Sequence, residues 1–199
     1  MKGKPNEEVY RLKKEVLGKF EELSVSGLID LYYGDESGVN LEANVPYGWQ
    51  FKDEVVSMPS RRGTGINCFG LFTRQNESWT ATSEKAISGN FVMEQMERFS
   101  FSITKLTVVV LDNARLHRGK QILERIKVWQ TRGLFIFCLP TYSPHLNLAE
   151  TVWRKLKYEW LSAADYSSKE HLQYAVKQAL WAFGKDLKIN FSDFRNNPN

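Results

Sequence analysis

The chain has 199 residues, a net charge of +4 and 42% hydrophobic residues. This length and composition fit one globular domain with a sizeable core, and they exclude a low-complexity or repeat protein. The pI of about 9.0 permits an acidic partner without demonstrating one. No apolar run approaches the roughly 18 residues that a membrane span needs, and the polar N-terminus is not a signal peptide, so we expect a cytoplasmic protein.

The first half of the chain predicts a helix followed by antiparallel strands. In chain order the predicted elements are a helix at 6–25, strands at 28–35, around Trp49–Val56 and at 64–73, and a helix at 89–99. The first helix is predicted from apolar residues at steps of three and four, namely Val9, Leu12, Val16, Phe20 and Leu23. We expect this helix, within residues 1–27, to be a linker from an upstream domain or, alternatively, to pack on its own domain.

The second half predicts a β-α-β unit and two final helices. Its elements are a strand at 107–111, a helix at 119–130, a strand at 134–139, and helices at 148–161 and 168–183. The continuous β-branched run at 107–111 is typical of a strand buried on both faces. The two strands of the unit are expected to be parallel with a right-handed connection. The whole pattern predicts an α/β fold, a mixed five-stranded sheet with helices on both faces.

Three acidic residues stand at the ends of predicted elements. Asp35 ends the strand at 28–35, Asp112 follows the strand at 107–111, and Glu150 lies at the start of a basic helix. Functional groups of open α/β sheets gather at the carboxyl ends of strands. Carboxylates brought together repel one another unless a cation neutralises them. The trio therefore predicts a divalent-metal site, which suggests phosphodiester chemistry.

Each acid also has an ordinary structural interpretation. Asp35 opens a turn-like sequence, Asp112 is placed to cap a helix, and Glu150 stands three residues after Asn147, as in a capping box. Glu36 adjoins Asp35, but side chains alternate along a strand, so we expect Glu36 to face away.

Basic and polar residues lie close to the acids in sequence. The candidates for holding phosphate groups are Arg61, Arg62, Asn113, Arg115, His117, Arg118, Arg154, Lys155 and Lys157. The alternative for those on the last helices is a solvated basic face. His117 and His145 lack a partner histidine at ligand spacing, which favours a substrate contact or a surface position over metal binding.

Two cysteines, Cys68 and Cys138, lie inside strand-like apolar runs. Neither belongs to a Cys-x-x-Cys or Cys/His cluster, so a zinc site is not expected. They are interpreted as buried, reduced thiols.

Three ordered motifs carry a family resemblance. They are Asp35-Glu-Ser-Gly, Val110-Leu-Asp-Asn-Ala-Arg-Leu-His117, and Leu139-Pro-Thr-Tyr-Ser-Pro-His-Leu-Asn-Leu-Ala-Glu150 followed by Trp153-Arg-Lys-Leu-Lys157. Over roughly residues 10–185 the chain resembles the catalytic domain of mariner-like insertion-sequence transposases, which are DDE superfamily endonucleases. The resemblance implies a ribonuclease H-like fold and maps the catalytic, metal-binding triad onto Asp35, Asp112 and Glu150. Positions 113 to 149, 37 residues, separate the last two acids, close to the spacing of that group.

The resemblance also implies a function. Residues 28–185 would form the catalytic domain of a DNA transposase, which cleaves transposon ends and transfers the strands into target DNA, and 186–199 a C-terminal tail. It implies Mg²⁺ or Mn²⁺ as cofactor, with two ions, DNA as partner, a homodimer, and association with the bacterial nucleoid. The alternatives are a stand-alone metal nuclease of the same fold and a non-catalytic, decayed or domesticated DNA-binding module.

Two departures from the family pattern are visible. The loop usually reads Ser-Pro-Asp-Leu-Asn-Pro-Ile-Glu, whereas here His145 replaces the aspartate and Leu148-Ala149 replaces Pro-Ile. The family usually carries an N-terminal helix-turn-helix region, and this chain has little before its core. We therefore expect a split or truncated transposase, the second reading frame of an element or an isolated domain, with a separately encoded N-terminal part as a further partner.

Overall fold

The computed structural model describes residues 6–41, 65–112, 120–192 and 194. Within them, five strands form one sheet in the order β3-β2-β1-β4-β5. The strands are β1 (Asp30–Asn40), β2 (Gly65–Phe72), β3 (Ser78–Ser83), β4 (Thr107–Leu111) and β5 (Leu134–Cys138). The β1–β2 and β2–β3 pairs are antiparallel, and the β1–β4 and β4–β5 pairs are parallel. The prediction of a mixed five-stranded sheet is confirmed.

One strand of the sheet was not among the predicted ones. Strand β3 follows a tight turn in which the Thr73 amide donates to the Glu77 carbonyl at 3.0 Å. Asn76, at φ 65°, supplies the left-handed residue of that turn. The short strands predicted around Trp49–Val56 lie outside the described residues.

The five α-helices agree with the predicted ones to within two residues, except at the end of the fourth. They are α1 (Glu7–Val25), α2 (Gly89–Ser100), α3 (Lys120–Thr131), α4 (Leu148–Lys155) and α5 (Lys169–Ala182). Helix α4 continues as a π-helical turn over Leu156–Trp160. Among the described residues, no helix is both long and apolar enough to cross a membrane.

The helices cover both faces of the sheet. On one face, α1, α4 and α5 bury side chains such as Leu17, Trp153 and Val176 in a common core. On the other face, α2 and α3 bury Met96 and Trp129. Strand β4 lies between the two cores and is buried at all five positions, as its β-branched run predicts.

Helix α1 packs on the domain, as the second of its two interpretations predicts. Its buried residues are Leu17 and Glu21, whereas Leu12 is 61% exposed. The buried Glu21 carboxylate forms an ion pair with Arg74 at 2.7 Å and accepts a hydrogen bond from the Tyr33 hydroxyl. A polar network, together with Leu17, therefore fixes α1 to the sheet.

The chain after α5 also packs against this core. The residues interpreted as a C-terminal tail include Ile189, whose side chain is buried. The Asn76 side chain accepts from the Ile189 amide at 2.7 Å and donates to its carbonyl at 3.1 Å. The β2–β3 turn thus holds the described part of this segment.

Candidate active site

The sheet register places Asp35 beside Asp112. The last pair of the parallel β1–β4 ladder is Gly34 with Leu111, and the two aspartates follow it directly. Side chains alternate along a strand, so each aspartate faces the side of the residue two before it. Those residues, Tyr33 and Val110, lie in the core beneath α4. Both carboxylates therefore belong to the face of the sheet that α4 covers.

Strand β1 is longer than predicted, so Asp35 does not end it. The strand continues to Asn40, and from Asp35 onward its partner among the described residues is β2. The prediction that Asp35 stands at the end of its strand is wrong for β1. Asp35 does stand where the parallel β1–β4 ladder ends, because β4 ends at Leu111.

Glu150 reaches the same place from α4. Asn147 precedes the helix, and its side-chain oxygen accepts from the Ala149 amide at 3.1 Å. The side-chain amide nitrogen of Asn147 donates a hydrogen bond to the Gly34 carbonyl at 3.0 Å, and this bond is buried. One buried side chain therefore joins the start of α4 to the residue before Asp35.

The capping-box interpretation of Glu150 does not describe its side chain. A capping box would pair the Glu150 carboxylate with the Asn147 backbone N–H. That N–H donates instead to the Pro144 carbonyl at 2.8 Å. Glu150 is left exposed in the first turn of α4.

Asp35, Asp112 and Glu150 all line one cleft of about 540 Å³. Its other polar residues are Glu36, Ser37, Arg154, Lys157 and Tyr158. Glu36 therefore lines the cleft, although alternation along β1 predicts that it faces away from Asp35. The acids and two basic side chains share a single concave surface, as a site for phosphodiester chemistry requires.

Two glycines allow close packing beside the cleft. A Cβ atom on Gly34 would lie 2.5 Å from the Leu111 side chain and 2.8 Å from that of Leu71. A Cβ atom on Gly70, the partner of Asp35 in β2, would overlap the Phe72 ring. At both positions a larger residue would force a neighbouring side chain to shift.

The donors in the cleft fit a hard cation. Asp35, Asp112 and Glu150 offer carboxylate oxygen, the ligand that Mg²⁺ and Mn²⁺ prefer. Within the described residues, however, no three His, Cys, Asp or Glu side chains are close enough to form a ready metal site. The acids share a cleft without forming a closed cage.

The predicted basic contacts divide into three groups. Arg154 and Lys157 line the acidic cleft. Lys155 forms an ion pair with Glu159 and, with Arg154, lines a neighbouring cleft of about 350 Å³. The remaining predicted contacts lie outside the described residues: Arg61, Arg62, Asn113, Arg115, His117 and Arg118.

Both cysteines are free thiols, as predicted, but only Cys68 is buried, whereas Cys138 is half-buried. Burial raises the pKa of Cys68 to about 12, against a smaller opposing effect of the Lys157 ammonium. Burial also raises the pKa of Cys138, which the Lys13 ammonium lowers and the Asp112 carboxylate raises. The neutral thiols are therefore poor metal ligands.

Three residues of the site escaped sequence reasoning. Asn147 was recognised only as a helix cap, because nothing in the sequence indicates a bond across 113 positions. Tyr158 lines the cleft from the π-helical turn. Trp153 is 2% exposed and lines the cleft, and its buried indole nitrogen has no hydrogen-bond partner among the described residues.

The chain matches a known protein family. A family model described as DDE superfamily endonuclease matches residues 30–173. A comparison with curated protein sequences gave no significant match.

Solved structures share the fold at low sequence identity. A structure described as "Mos1 transposase paired-end complex with left transposon end" is 12% identical, with a TM-score of 0.54 over 90% of this chain and 61% of that chain. A simian T-cell lymphotropic virus intasome in complex with PP2A regulatory subunit B56 gamma is also 12% identical, with a TM-score of 0.54 over 78% of this chain and 49% of that one. The predicted ribonuclease H-like fold is confirmed. The chain spans less than two thirds of these proteins.

Proposed function

Because the chain belongs to the DDE superfamily endonucleases, we propose that it is the catalytic domain of a DNA transposase. It would cleave phosphodiester bonds at transposon ends and transfer the freed strands into target DNA. The observation that carries this proposal is that Asp35, Asp112 and Glu150, from three separate elements, line one cleft. The fold alone would not specify the chemistry.

The proposed cofactor is Mg²⁺ or Mn²⁺, as two ions. Asp35 and Asp112 would hold both ions and Glu150 would complete the second site. When bound, such ions activate water and stabilise the leaving oxygen of a phosphodiester. The carboxylates would act as ligands, so none of them would need to attack the DNA.

The basic residues of the cleft have a separate role. Arg154 and Lys157 would bind phosphate groups of the strand in the cleft and keep it beside the acids. Asn147 would keep the start of α4 close to β1, and so keep Glu150 close to Asp35.

We further propose DNA as partner, a homodimer, a separately encoded N-terminal DNA-binding part and association with the bacterial nucleoid. Two structures of one protein with the same fold, Mos1 transposase, support DNA ends as the substrate. One is the Mos1 paired-end complex with a left transposon end. The other is a Mos1 strand transfer complex, which is 12% identical with a TM-score of 0.50. This chain covers 61% and 60% of the chains in these two structures.

The test compares cleavage and strand transfer by the wild type with those by Glu150→Gln, on DNA carrying the element's terminal repeats. We expect at least an approximately 100-fold loss, because a metal ligand contributes several kcal/mol to the transition state. Glu170→Gln is the matched control, since Glu170 occupies the first turn of α5. Cleavage without joined product would indicate a stand-alone nuclease. Equal, measurable activity of the wild type and Glu150→Gln would contradict the role of Glu150. No activity of either protein, even with the N-terminal part added in trans, would indicate a non-catalytic module.

A further inference from the structure

Helix α1 lies outside the segment that matches the family model, yet it contacts the chain that leads to Glu150. The Tyr10 hydroxyl and His145 Nε2 are hydrogen-bonded at 2.9 Å. Their rings lie 5.9 Å apart at a tilt of 40°. His145 belongs to the 3-10 turn Pro144–Leu146, directly before Asn147.

A second contact joins α1 to the end of β5. The Lys13 ammonium donates to the Cys138 carbonyl at 2.7 Å and to the Leu139 carbonyl at 3.4 Å. Hydrogen bonds from an ammonium to a carbonyl are stronger than those between neutral groups. About two turns further along α1, Phe20 packs edge-on against Phe137 of β5, with ring centroids 5.4 Å apart.

The contacted chain carries a catalytic candidate. We call residues 138–150 the Glu150 segment. From Leu139 to Asn147 it contains no strand and only one short 3-10 turn, so little regular structure restricts it. At its far end, Asn147 binds Gly34, and the Glu150 amide donates to the Asn147 carbonyl at 3.2 Å. The segment is therefore held from two sides, by β1 and by α1.

We propose that Tyr10, Lys13 and His145 are positioning residues that hold Glu150 in the cleft through the Glu150 segment. This inference rests on the proposed function for its effect on catalysis. His145 stands where the family usually has an aspartate, and its ring accepts or donates a hydrogen bond across to α1. The contact restricts the freedom of an irregular segment, so less entropy is lost when Glu150 engages a cation.

Hydrogen exchange tests the coupling independently of activity. The double variant Tyr10→Phe/Lys13→Met keeps the side-chain volumes and removes the polar contacts. We expect the Leu146, Asn147 and Glu150 amides, which are all hydrogen-bonded, to exchange at least about five-fold faster. Exchange in β4 should be unchanged, which excludes a global loss of stability. The matched control is Tyr174→Phe/Lys19→Met, because both of those side chains are largely exposed.

Catalytic measurements test the effect on Glu150. In the double variant we expect kcat to fall by about ten-fold and the metal concentration for half-maximal rate to rise, with the KM for DNA unchanged. Lys13→Arg, which keeps a cationic donor, should restore most of the activity lost in Lys13→Met. Unchanged exchange in the Glu150 segment would overturn the proposal, as would an increased KM for DNA with normal kcat. Faster exchange with an inactive wild type would support the coupling and contradict the proposed function.

Discussion

Asp35 and Asp112 occupy equivalent positions just beyond the parallel pairing of two neighbouring strands, β1 and β4. Each follows directly after the last pair of their ladder, Gly34 with Leu111. The two strands differ in their course beyond the aspartates. Strand β4 ends, whereas β1 runs on for five more residues paired with β2. The point where a parallel ladder stops thus brings two carboxylates to one face and opens a cleft beside them.

Metal binding should depend on Asp112. With Mg²⁺ or Mn²⁺ at about 100 times its dissociation constant, the wild-type melting temperature should rise by about 5–10 °C, because the ion binds the folded state. Asp112→Asn should abolish this rise, which differential scanning calorimetry can measure. Asp186→Asn, at an exposed position after α5, should retain it. An equal rise in all three proteins would place the ion elsewhere.

The bond from Asn147 to Gly34 should contribute strongly to stability. Asn147→Asp retains the cap acceptor but removes the donor to the Gly34 carbonyl, and it introduces a charge at a buried position. We expect the free energy of unfolding to fall by about 2–4 kcal/mol in urea titrations. Asn67→Asp is the matched control, since the Asn67 side chain donates to the Lys85 carbonyl at an exposed site. The free energy of unfolding of Asn67→Asp should fall by less than about 1 kcal/mol. Equal losses in the two variants would contradict the importance of burial.

Arg154 should contribute to DNA affinity without reading sequence. Arg154→Gln should weaken binding of every duplex tested and reduce the slope of log Kd against log salt by about 0.9. Lys127→Gln should leave that slope unchanged, because Lys127 lies on α3, on the opposite face of the sheet. Fluorescence anisotropy at four salt concentrations measures both slopes. An unchanged slope for Arg154→Gln would remove this residue from the DNA path.

Glu97 should make stability depend on acid pH. Burial opposes its charge, but N–H donors from Arg132 at 2.9 Å and Trp129 at 2.8 Å outweigh burial and lower the pKa of Glu97. A lowered folded-state pKa stabilises the fold above the unfolded value of about 4.3, and this contribution is lost as pH falls through the folded pKa.

The variant Glu97→Gln should therefore lose about 1–2 kcal/mol at pH 7, and the loss should shrink towards pH 3. Glu94→Gln breaks an exposed pair with Arg98 on the same helix and should cost less than about 0.5 kcal/mol. Chemical denaturation at both pH values measures these differences. A Glu97→Gln cost that is the same at pH 3 and pH 7 would contradict the role of the charge.

The two thiols should differ in reactivity. At pH 8, iodoacetamide should modify the half-buried Cys138 slowly and the fully buried Cys68 only after unfolding. Because the folded-state pKa of Cys68 is about 12, above the ordinary value of 9.0, its contribution to stability is complete below pH 9 and is lost as pH rises towards 12. Mass spectrometry of peptides from the labelled protein measures the order. Labelling of Cys68 first would contradict its burial in the core that α1, α4 and α5 share.

The sequence predicted most of the architecture because its strongest patterns are local. The buried run at 107–111 and the β-α-β unit around it are as predicted. Helix α1 was predicted from Val9, Leu12 and Leu23, which are exposed, while the polar Glu21 is buried. Its partners, Tyr33 and Arg74, come from distant positions, and periodicity cannot indicate such a contact.

The sequence predicted which acidic residues lie together, but it did not predict the hydrogen bonds that hold them in place. The resemblance identified the acids. Their positions at the ends of predicted strands and at a helix start predicted that they lie close together. The bond from Asn147 to Gly34 and the contacts of Tyr10 and Lys13 depend on three-dimensional placement, and no sequence pattern indicates them.

Strand β1 changes partners at the candidate site, and this has a structural consequence. Only Tyr33 and Gly34 pair with both β2 and β4, and beyond them the described β1 pairs with β2 alone. Asp35 thus stands where the sheet narrows from five strands to the three antiparallel strands β1, β2 and β3. Beyond this boundary, the edge of β1 that has no strand partner among the described residues runs along the cleft, which Glu36, Ser37 and Gly38 line.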